Sequence, residues 1–421
     1  RALYLNSIEI IDYIVINNYP TAVNLIKKIR PDFYIKGPEY KNIDEDKTKG
    51  IIEEKKAIIE INGKIKFTTG KKYSSTNILN TVNNNLNDEQ YKFINLIKQK
   101  YKINNLENYI NKLKTKKVLV LGETIVDTYI SCEAIGKSGK EPILTYRYDK
   151  TEKFAGGTIA VANQIAEFTD NVDLVSDIGE YKNQFQFLKK NINKKIKWNY
   201  FVKKDSPTIE KIRYIDEYTE NKIIGVYDIN DNIIKKELSD SIIRFLKNKI
   251  NKYDIVIIVD YGHGFITEDI VNFLNINTKC LAVNTQINSF NIGYNSISKY
   301  KKCDYVCIHE NELRLEMKDR KTSIEKLILK LKKKIKSKIY TITQGKNGAR
   351  AFTKNESIHC PAFTSNVVDR IGSGDTLIAL SSLGYAGKFP IEFLILFGSL
   401  GAANTVSKRG TGKSFTKKNL S

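Results

Sequence analysis

The stretch VVDRIGSGDT, residues 367–376, sets two glycines and a serine between two aspartates, directly ahead of the apolar run LIALSSLGYAG. A helix beginning here leaves its first N–H groups unpaired and carries a partial positive charge, and small residues let an anion approach them. Gly372, Ser373 and Gly374 therefore read as an anion hole. Asp375 stands beside it as a base for a hydroxyl that attacks a bound phosphoryl group. At an ordinary pKa of about 3.9 that carboxylate is ionised at neutral pH. Gly and Asp are also common helix-start residues, so a plain loop and N-cap fits the stretch equally well.

Similar residues recur at other junctions. Asp127 follows KKVLVLGETIV; Gly156 and Gly157 precede a helix in KFAGGTIAVANQIA; DYGHG at 260–264 ends an apolar strand. Glu312 follows DYVCIHE, and Thr343, Gly345 and Gly348 lie in TITQGKNGA. Ligands of an open parallel sheet bind at the carboxyl ends of its strands, where this order puts these residues.

The elements that must hold them are legible from Lys116 onward. Apolar runs KKVLVLG, DIVIIVDYG, LAVNTQ, DYVCIHE and KIYTITQG alternate with the helical patterns LSDSIIRFLKNKI, EDIVNFLNI and SIEKLILKLKKKI. That alternation predicts a mostly parallel sheet with helices on both faces. TIEKIRYIDEYTENKIIGVYDI, 208–229, alternates with period two and predicts a hairpin outside the sheet, a lid. Residues 1–82 read as the second half of an α/β unit, 83–114 as a helical connector, and 115–421 as the main domain.

Composition narrows the function classes. At 421 residues the chain suits two or three domains. No apolar run approaches the roughly 20 residues of a membrane span, and no signal peptide is recognisable, so a cytoplasmic protein with no membrane partner is expected. Five scattered cysteines argue against a disulfide framework or a zinc ribbon. The net charge of +22 comes mostly from Lys, with abundant Asn and Ile and no basic stripe interleaved with stacking aromatics, which argues against nucleic acid. The chain opens on Arg1 and its single methionine is Met317, as in a fragment of a longer protein.

The order of motifs over 116–421 resembles the ribokinase-like (PfkB) carbohydrate kinases, whose signature Asp-x-x-Gly-Ala-Gly-Asp is matched by DRIGSGD with Ser373 for the alanine. The resemblance implies a ribokinase-like, mostly parallel sheet flanked by helices with a small β-lid. It implies ATP and Mg²⁺ as cofactors and a sugar or sugar phosphate as acceptor, with Asp375 the catalytic base and the 372–374 amides stabilising the transferred group. Asp127, Gly156 and Gly157 would hold the sugar. Thr343, Gly345, Gly348 and Ser399 would hold ATP, and Glu312 would organise Mg²⁺ through water. Lys211 and Arg213 resemble the lid strand of the heptose-phosphate kinase branch, where basic side chains meet a phosphate already on the sugar. Three positions depart from the pattern. Ala160, His309 and Ser399 each stand where the family often has Asn, which leaves the sugar open.

The segment 1–82 carries a second resemblance. RPDFYIKGPEY and KKYSSTNIL are similar to the latter half of the cytidylyltransferase-like nucleotidyltransferases, a partial Rossmann-like α/β domain. Lys36 and Gly37 match its middle motif, with Glu39 at the acidic position; Ser74, Ser75 and Thr76 would cap a helix and face nucleotide phosphates. The family's His-x-Gly-His motif would precede Arg1, so this chain is expected not to transfer nucleotides unaided.

Together the two resemblances imply a bifunctional sugar-activation protein similar to the heptose kinase/nucleotidyltransferase enzymes, with the nucleotidyltransferase first. The partners expected are the sugar substrate, a nucleotide and, for self-association, a homodimer. A catalytically impaired kinase-fold scaffold and a basic nucleic-acid binder are the rival classes.

Overall fold

The computed structural model describes residues 11–19, 21–37, 50–68, 86–289, 291–364, 366–410, 412 and 414–420. The chain divides into two units, Arg1–Asn85 and Leu86–Ser421. Among the described residues no helix is long and apolar enough to cross a membrane. The five cysteines are free, and four of them are buried.

The first unit contains α1 (Val23–Ile29), β1 (Phe33–Lys36), α2 (Gly50–Glu60) and β2 (Lys64–Phe67). The two strands pair in parallel, Phe33 opposite Lys64 and Lys36 opposite Phe67. A parallel pair needs a crossover, and α2 lies in it. Ile51, Glu54, Ala57 and Ile58 recur every three to four residues along α2 and form its buried face. The expected α/β reading holds for this piece. Glu39, Ser74, Ser75 and Thr76 lie outside the described residues.

The second unit begins with α3 (Asp88–Lys100) and α4 (Ile103–Lys112), the expected connector. Its Phe93, Ile97 and Ile110 are buried in the main hydrophobic core, and a capping box between Asn87 and Gln90 starts α3. Tyr101 Oη and the Lys100 ammonium both bind the buried Glu392. These helices thus pack as part of the second unit.

There follow β3 (Lys117–Gly122), β4 (Thr124–Lys137), β5 (Leu144–Gly157), α5 (Thr158–Ala166), β6 (Asn171–Tyr181), α6 (Phe185–Asn191), β7 (Ile196–Pro207), β8 (Ile209–Asp216) and β9 (Lys222–Asp228). Next come α7 (Lys236–Lys247), β10 (Ile255–Asp260), α8 (Glu268–Asn277), β11 (Leu281–Thr285), β12 (Tyr305–His309), α9 (Glu310–Met317), α10 (Ile324–Lys334) and β13 (Ile339–Thr343). The last are β14 (Ala349–Phe352), β15 (Ser357–Cys360), α11 (Ser373–Ala386) and α12 (Ile391–Val406).

Nine strands form the main sheet in the order β15-β14-β13-β12-β11-β10-β3-β6-β7. All neighbours are parallel except β13–β14 and β14–β15. Alternate side chains of one strand enter opposite layers, as the pleat requires. Val118, Val120, Ile257 and Val259 pack with α5, α11 and α12, whereas Leu119, Leu121, Val256 and Ile258 pack with α7, α8 and α10. β10 is buried at every position, which explains its unbroken apolar sequence.

The lid is larger than the expected hairpin. It is a four-stranded sheet, β5-β4-β8-β9, with β8 and β9 forming the hairpin seen in the sequence. The segment KKVLVLGETIVDTYI, which contains the Asp127 junction of the sequence, is two strands. β3 ends at Gly122 in the main sheet and β4 starts at Thr124 in the lid, with Glu123 at the step. Asp127 therefore lies within β4 rather than after the first strand.

Candidate active site

Helix α11 begins at Ser373 with Gly372 as its N-cap, at φ +79°, a left-handed conformation that suits glycine. Among the described residues no side chain caps it, so its first-turn amides keep no partner inside the helix. A Cβ built on Gly374 meets nothing within 4 Å, so open space lies over those amides. That combination suits an incoming phosphoryl group.

Asp375 occupies the first turn of the same helix and is buried. Tyr261 Oη donates to its Oδ1 at 3.0 Å, and Gln286 Nε2 donates to the same oxygen at 2.6 Å. Burial pushes the Asp375 carboxyl up to about 6, with Asp127 adding to the rise and the two donors and Lys211 opposing it. The expectation of an ordinary, strongly acidic aspartate is thereby corrected: desolvation dominates.

Asp369, at the head of the loop, is held from four sides. Tyr129 Oη and the Gly410 N–H donate to its Oδ2 at 2.6 and 3.4 Å, while Lys222 Nζ and the Ile371 N–H donate to its Oδ1 at 2.7 and 3.2 Å. These bonds keep its carboxyl below the usual range despite burial.

The lid contributes Asp127, Lys211 and Arg213. Arg213 Nη1 binds Asp127 Oδ1 at 2.6 Å, so its charge is already matched. Lys211, two residues earlier on the same side of β8, has no ion pair among the described residues. Its ammonium lies 5.9 Å from the Tyr227 ring and 6.0 Å from the Tyr261 ring, and burial lowers its pKa. A Cβ on Gly156 would come within 2.2 Å of Asp127 Oδ2, so glycine is what admits that carboxylate. Gly157, at φ +57°, caps α5.

Glu312 lies in the first turn of α9, and both its oxygens are taken. Oε1 accepts the Ile287 N–H at 3.1 Å and Oε2 the His309 N–H at 2.6 Å. Burial, with a contribution from Asp375, raises it to about 7. His309 is the N-cap of α9, its Nδ1 accepting the Asn311 N–H at 3.1 Å. The imidazole thus does locally what a capping Asn would do.

Thr343 ends β13, and Gly345 and Gly348 follow at φ +56° and +82°. A Cβ on Gly348 would sit 2.1 Å from the Cys360 carbonyl, so that glycine serves backbone packing, while the space around Gly345 is open. A cavity of about 320 Å³ lies between the 363–366 region and α12, lined by Phe363, Thr364, Leu400, Ala403, Asn404 and Ser407. Val368 and Asp369 donate their N–H groups to the Val406 carbonyl, which ties this cavity to the anion-hole loop. None of Thr343, Gly345, Gly348 and Ser399 lines it. Ser399 is buried within α12.

In the first unit Lys36 Nζ lies 2.8 Å from Glu54 Oε2, and Gly37 follows β1. Glu54 also accepts from the Ala22 N–H and Tyr34 Oη. Lys36 is therefore matched by a buried carboxylate.

Tyr261, Gln286, Glu123 and Lys222 were not singled out from the sequence. DYGHG drew notice as a strand end, but nothing in it marked the Tyr261 hydroxyl as a partner of Asp375. Glu123 lies at an unforeseen strand step and Lys222 on an exposed lid strand.

Comparison with known proteins agrees with this fold. The pfkB family carbohydrate kinase profile matches residues 115–418. The bifunctional protein HldE of Aliarcobacter butzleri is 28% identical over 310 residues, covering 71% of this chain and 62% of that protein. HldE of Nitratiruptor is 26% identical over 302 residues, covering 70% of this chain and 62% of that protein, so the chain spans 62% of the length of both relatives. Ribokinase from Thermotoga maritima superposes with a TM-score of 0.57 at 18% identity, covering 72% of this chain and 98% of that one. Phosphofructokinase-2 from Escherichia coli gives 0.56 at 14% identity, with 72% and 96% covered. With a ribokinase-like sheet, a β-lid and a family profile that covers most of its length, the chain belongs to the pfkB family of carbohydrate kinases.

Proposed function

We propose that the chain is an ATP-dependent sugar-phosphate kinase in which Asp375 takes the proton of a sugar hydroxyl as that oxygen attacks the γ-phosphoryl group. The observation that carries this reading is the place of Asp375 in the first turn of α11, beside uncapped amides and next to the open space at Gly374. At about 6 its carboxyl is mostly ionised at pH 7 and is a stronger base than an ordinary aspartate. The 372–374 amides receive the charge on the transferred group, and most of the rate comes from positioning and this charge stabilisation.

Bound Mg²⁺ supplies charge neutralisation on the nucleotide phosphates. Among the described residues no group of three His, Cys, Asp or Glu side chains could hold a metal ion by itself. The ion would then be carried largely by phosphates and water, with Glu312 organising it through water. The cavity between Phe363 and Leu400 suits a flat, partly apolar base, with the phosphates running toward the α11 amides.

Lys211 supports a phosphorylated acceptor. Its charge stands near Asp375 without a carboxylate of its own, whereas Arg213 is matched by Asp127. The first unit is proposed as a partial cytidylyltransferase-like module at 1–82 ahead of the kinase domain at 115–421, the two joined by the helical connector at 83–114, in a bifunctional sugar-activation protein. The parallel βαβ piece and the bifunctional character that the HldE relatives' name states support this. The test is phosphorylation of a panel of hexoses, heptoses and their terminal phosphates with ATP and Mg²⁺. Phosphorylated sugars should be preferred, and Lys211→Ala should raise KM for them and not for neutral sugars. Preference for neutral sugars overturns the sugar-phosphate reading.

A further inference from the structure

We infer that Tyr261 and Gln286 are positioning residues for the phosphoryl transfer: they hold Oδ1 of Asp375 between them and leave Oδ2 as the oxygen that receives the acceptor's proton. This rests on the reading of Asp375 as the base. The two donors come from different strands, Tyr261 just past β10 and Gln286 just past β11, and meet on one atom at 3.0 and 2.6 Å. Oδ2 accepts no hydrogen bond from the described residues. A carboxylate fixed through one oxygen cannot swing, so its free oxygen keeps a single direction.

Both donors are themselves fixed. The Tyr261 N–H donates to Glu123 Oε2 at 3.0 Å, and its carbonyl accepts from Asn288 and Asn291 at 2.9 and 2.7 Å. The Gln286 N–H donates to the Asp260 carbonyl at 2.9 Å, and its own carbonyl accepts from Asn295 Nδ2 at 3.1 Å. Gly262, at φ +71°, lets these loops close, because a Cβ there would meet Asn291 Nδ2 at 2.2 Å. The Tyr261 hydroxyl is wholly buried beside Asp375, which keeps its proton on and makes it a donor at any working pH. The sequence encodes the arrangement as two strand ends, DYG and NTQ, bound together by the asparagines of INSFNIGYN.

The charged and titratable groups around Asp375 are Tyr261 after β10, Asp127 on β4, Lys211 on β8 and Glu312 on α9. Removing either donor takes away an interaction made with the ionised form, so the Asp375 pKa should rise by about one unit.

The experiment compares the intact chain with Tyr261→Phe, Gln286→Met, Asp375→Asn and Tyr300→Phe. Tyr300 is a second buried tyrosine bound to a carboxylate, Asp260, at 2.7 Å, and it does not touch Asp375. Two readouts are taken. One is kcat/KM against pH with ATP and Mg²⁺, with fructose 6-phosphate and sedoheptulose 7-phosphate as acceptors. The other is the infrared band of the protonated Asp375 carboxyl, assigned by its loss in Asp375→Asn and titrated from pH 4 to 9. Tyr261→Phe and Gln286→Met should move both midpoints up by about one unit and lower the high-pH rate roughly tenfold, while Tyr300→Phe moves neither. If Asp375→Asn transfers phosphate at the parental rate, the base reading itself fails. If Asp375→Asn is inactive but the two variants keep the parental midpoint, the positioning proposal is overturned. The infrared midpoint decides it even where neither acceptor turns over.

Discussion

Lys222 Nζ lies 2.7 Å from Asp369 Oδ1, which joins the outermost strand of the lid to the loop that opens the anion hole. Tyr129, on lid strand β4 two strands away, donates to the other oxygen of the same carboxylate. Arg409, just past α12, reaches Glu152 of β5 at 3.4 Å and Glu220 of the β8–β9 turn at 3.5 Å. The lid is thus bound at several points to the segments proposed to form the phosphoryl site. A substrate held under it is held by the same network that shapes the amides.

The first prediction follows from that contact. Lys222→Met keeps the aliphatic stem and removes the charge, leaving Asp369 with Tyr129 and two N–H donors. The fold should survive, while kcat/KM should fall roughly tenfold, the scale of one hydrogen bond to a charged group. Initial rates with paired thermal melts check this. An unchanged kcat/KM would show that the contact does nothing for the loop.

A second prediction concerns Glu312, whose two oxygens each accept a backbone N–H and so cap α9. Glu312→Gln must turn its amide nitrogen toward one of those donors. The cost should be about 1–3 kcal/mol of stability, the penalty for a buried donor left unsatisfied. Urea unfolding reads this loss, and the Mg²⁺ dependence of phosphorylation is read separately. A variant as stable as the parent would return Glu312 to a purely metal-facing role.

Much of this was legible in the sequence, and the reasons differ element by element. β10 is buried throughout and β12 everywhere but at His309, so each apolar run reads as a covered parallel strand. DRIGSGD was legible because residue type and spacing are the chemistry there. The outer halves of β4 and β5 were missed because Glu133–Lys137 and most of Leu144–Glu152 are exposed, leaving little contrast between faces. Tyr261 and Gln286 were missed because their role is a tertiary meeting of two strand ends. The contacts of Lys36 and Glu312 were not legible because their partners Glu54 and Ile287 lie far away in sequence or on another loop.

A third prediction is a pH dependence of stability. Burial raises Glu123, Glu312, Asp177 and Asp375, the last three to about 7, 6 and 6. In the unfolded chain these carboxyls titrate near pH 4, so from there to about pH 7 the folded protein holds protons the unfolded chain has lost. Their contribution is complete below pH 4 and is lost as pH rises through the folded values. His263, held down to about 3, and His309 oppose this below about 6.5, but the four acids outnumber them. The Tm should therefore rise as pH falls from 8 to about 5.5. Thermal melts across that range check it, and Glu123→Gln, which mimics the protonated acid, should flatten the slope.

The last prediction concerns Gly374. It occupies a helical position without a positive φ, where glycine weakens a helix by about 0.5–1 kcal/mol relative to alanine. A Cβ there would touch nothing within 4 Å, so the folded chain gives no steric reason to leave a side chain out. The reason must lie in what enters that space, and the uncapped amides on its floor suit a phosphoryl group. Gly374→Ala should therefore keep or slightly increase stability while slowing phosphoryl transfer, and Gly374→Val, with a branched side chain over the amides, should slow it further. Denaturant unfolding and single-turnover phosphorylation, measured on the same preparations, separate the two effects. A Gly374→Ala protein that gains stability and loses rate places the reacting phosphorus over α11. One that transfers at the parental rate shows that the open space is not where the phosphoryl group travels.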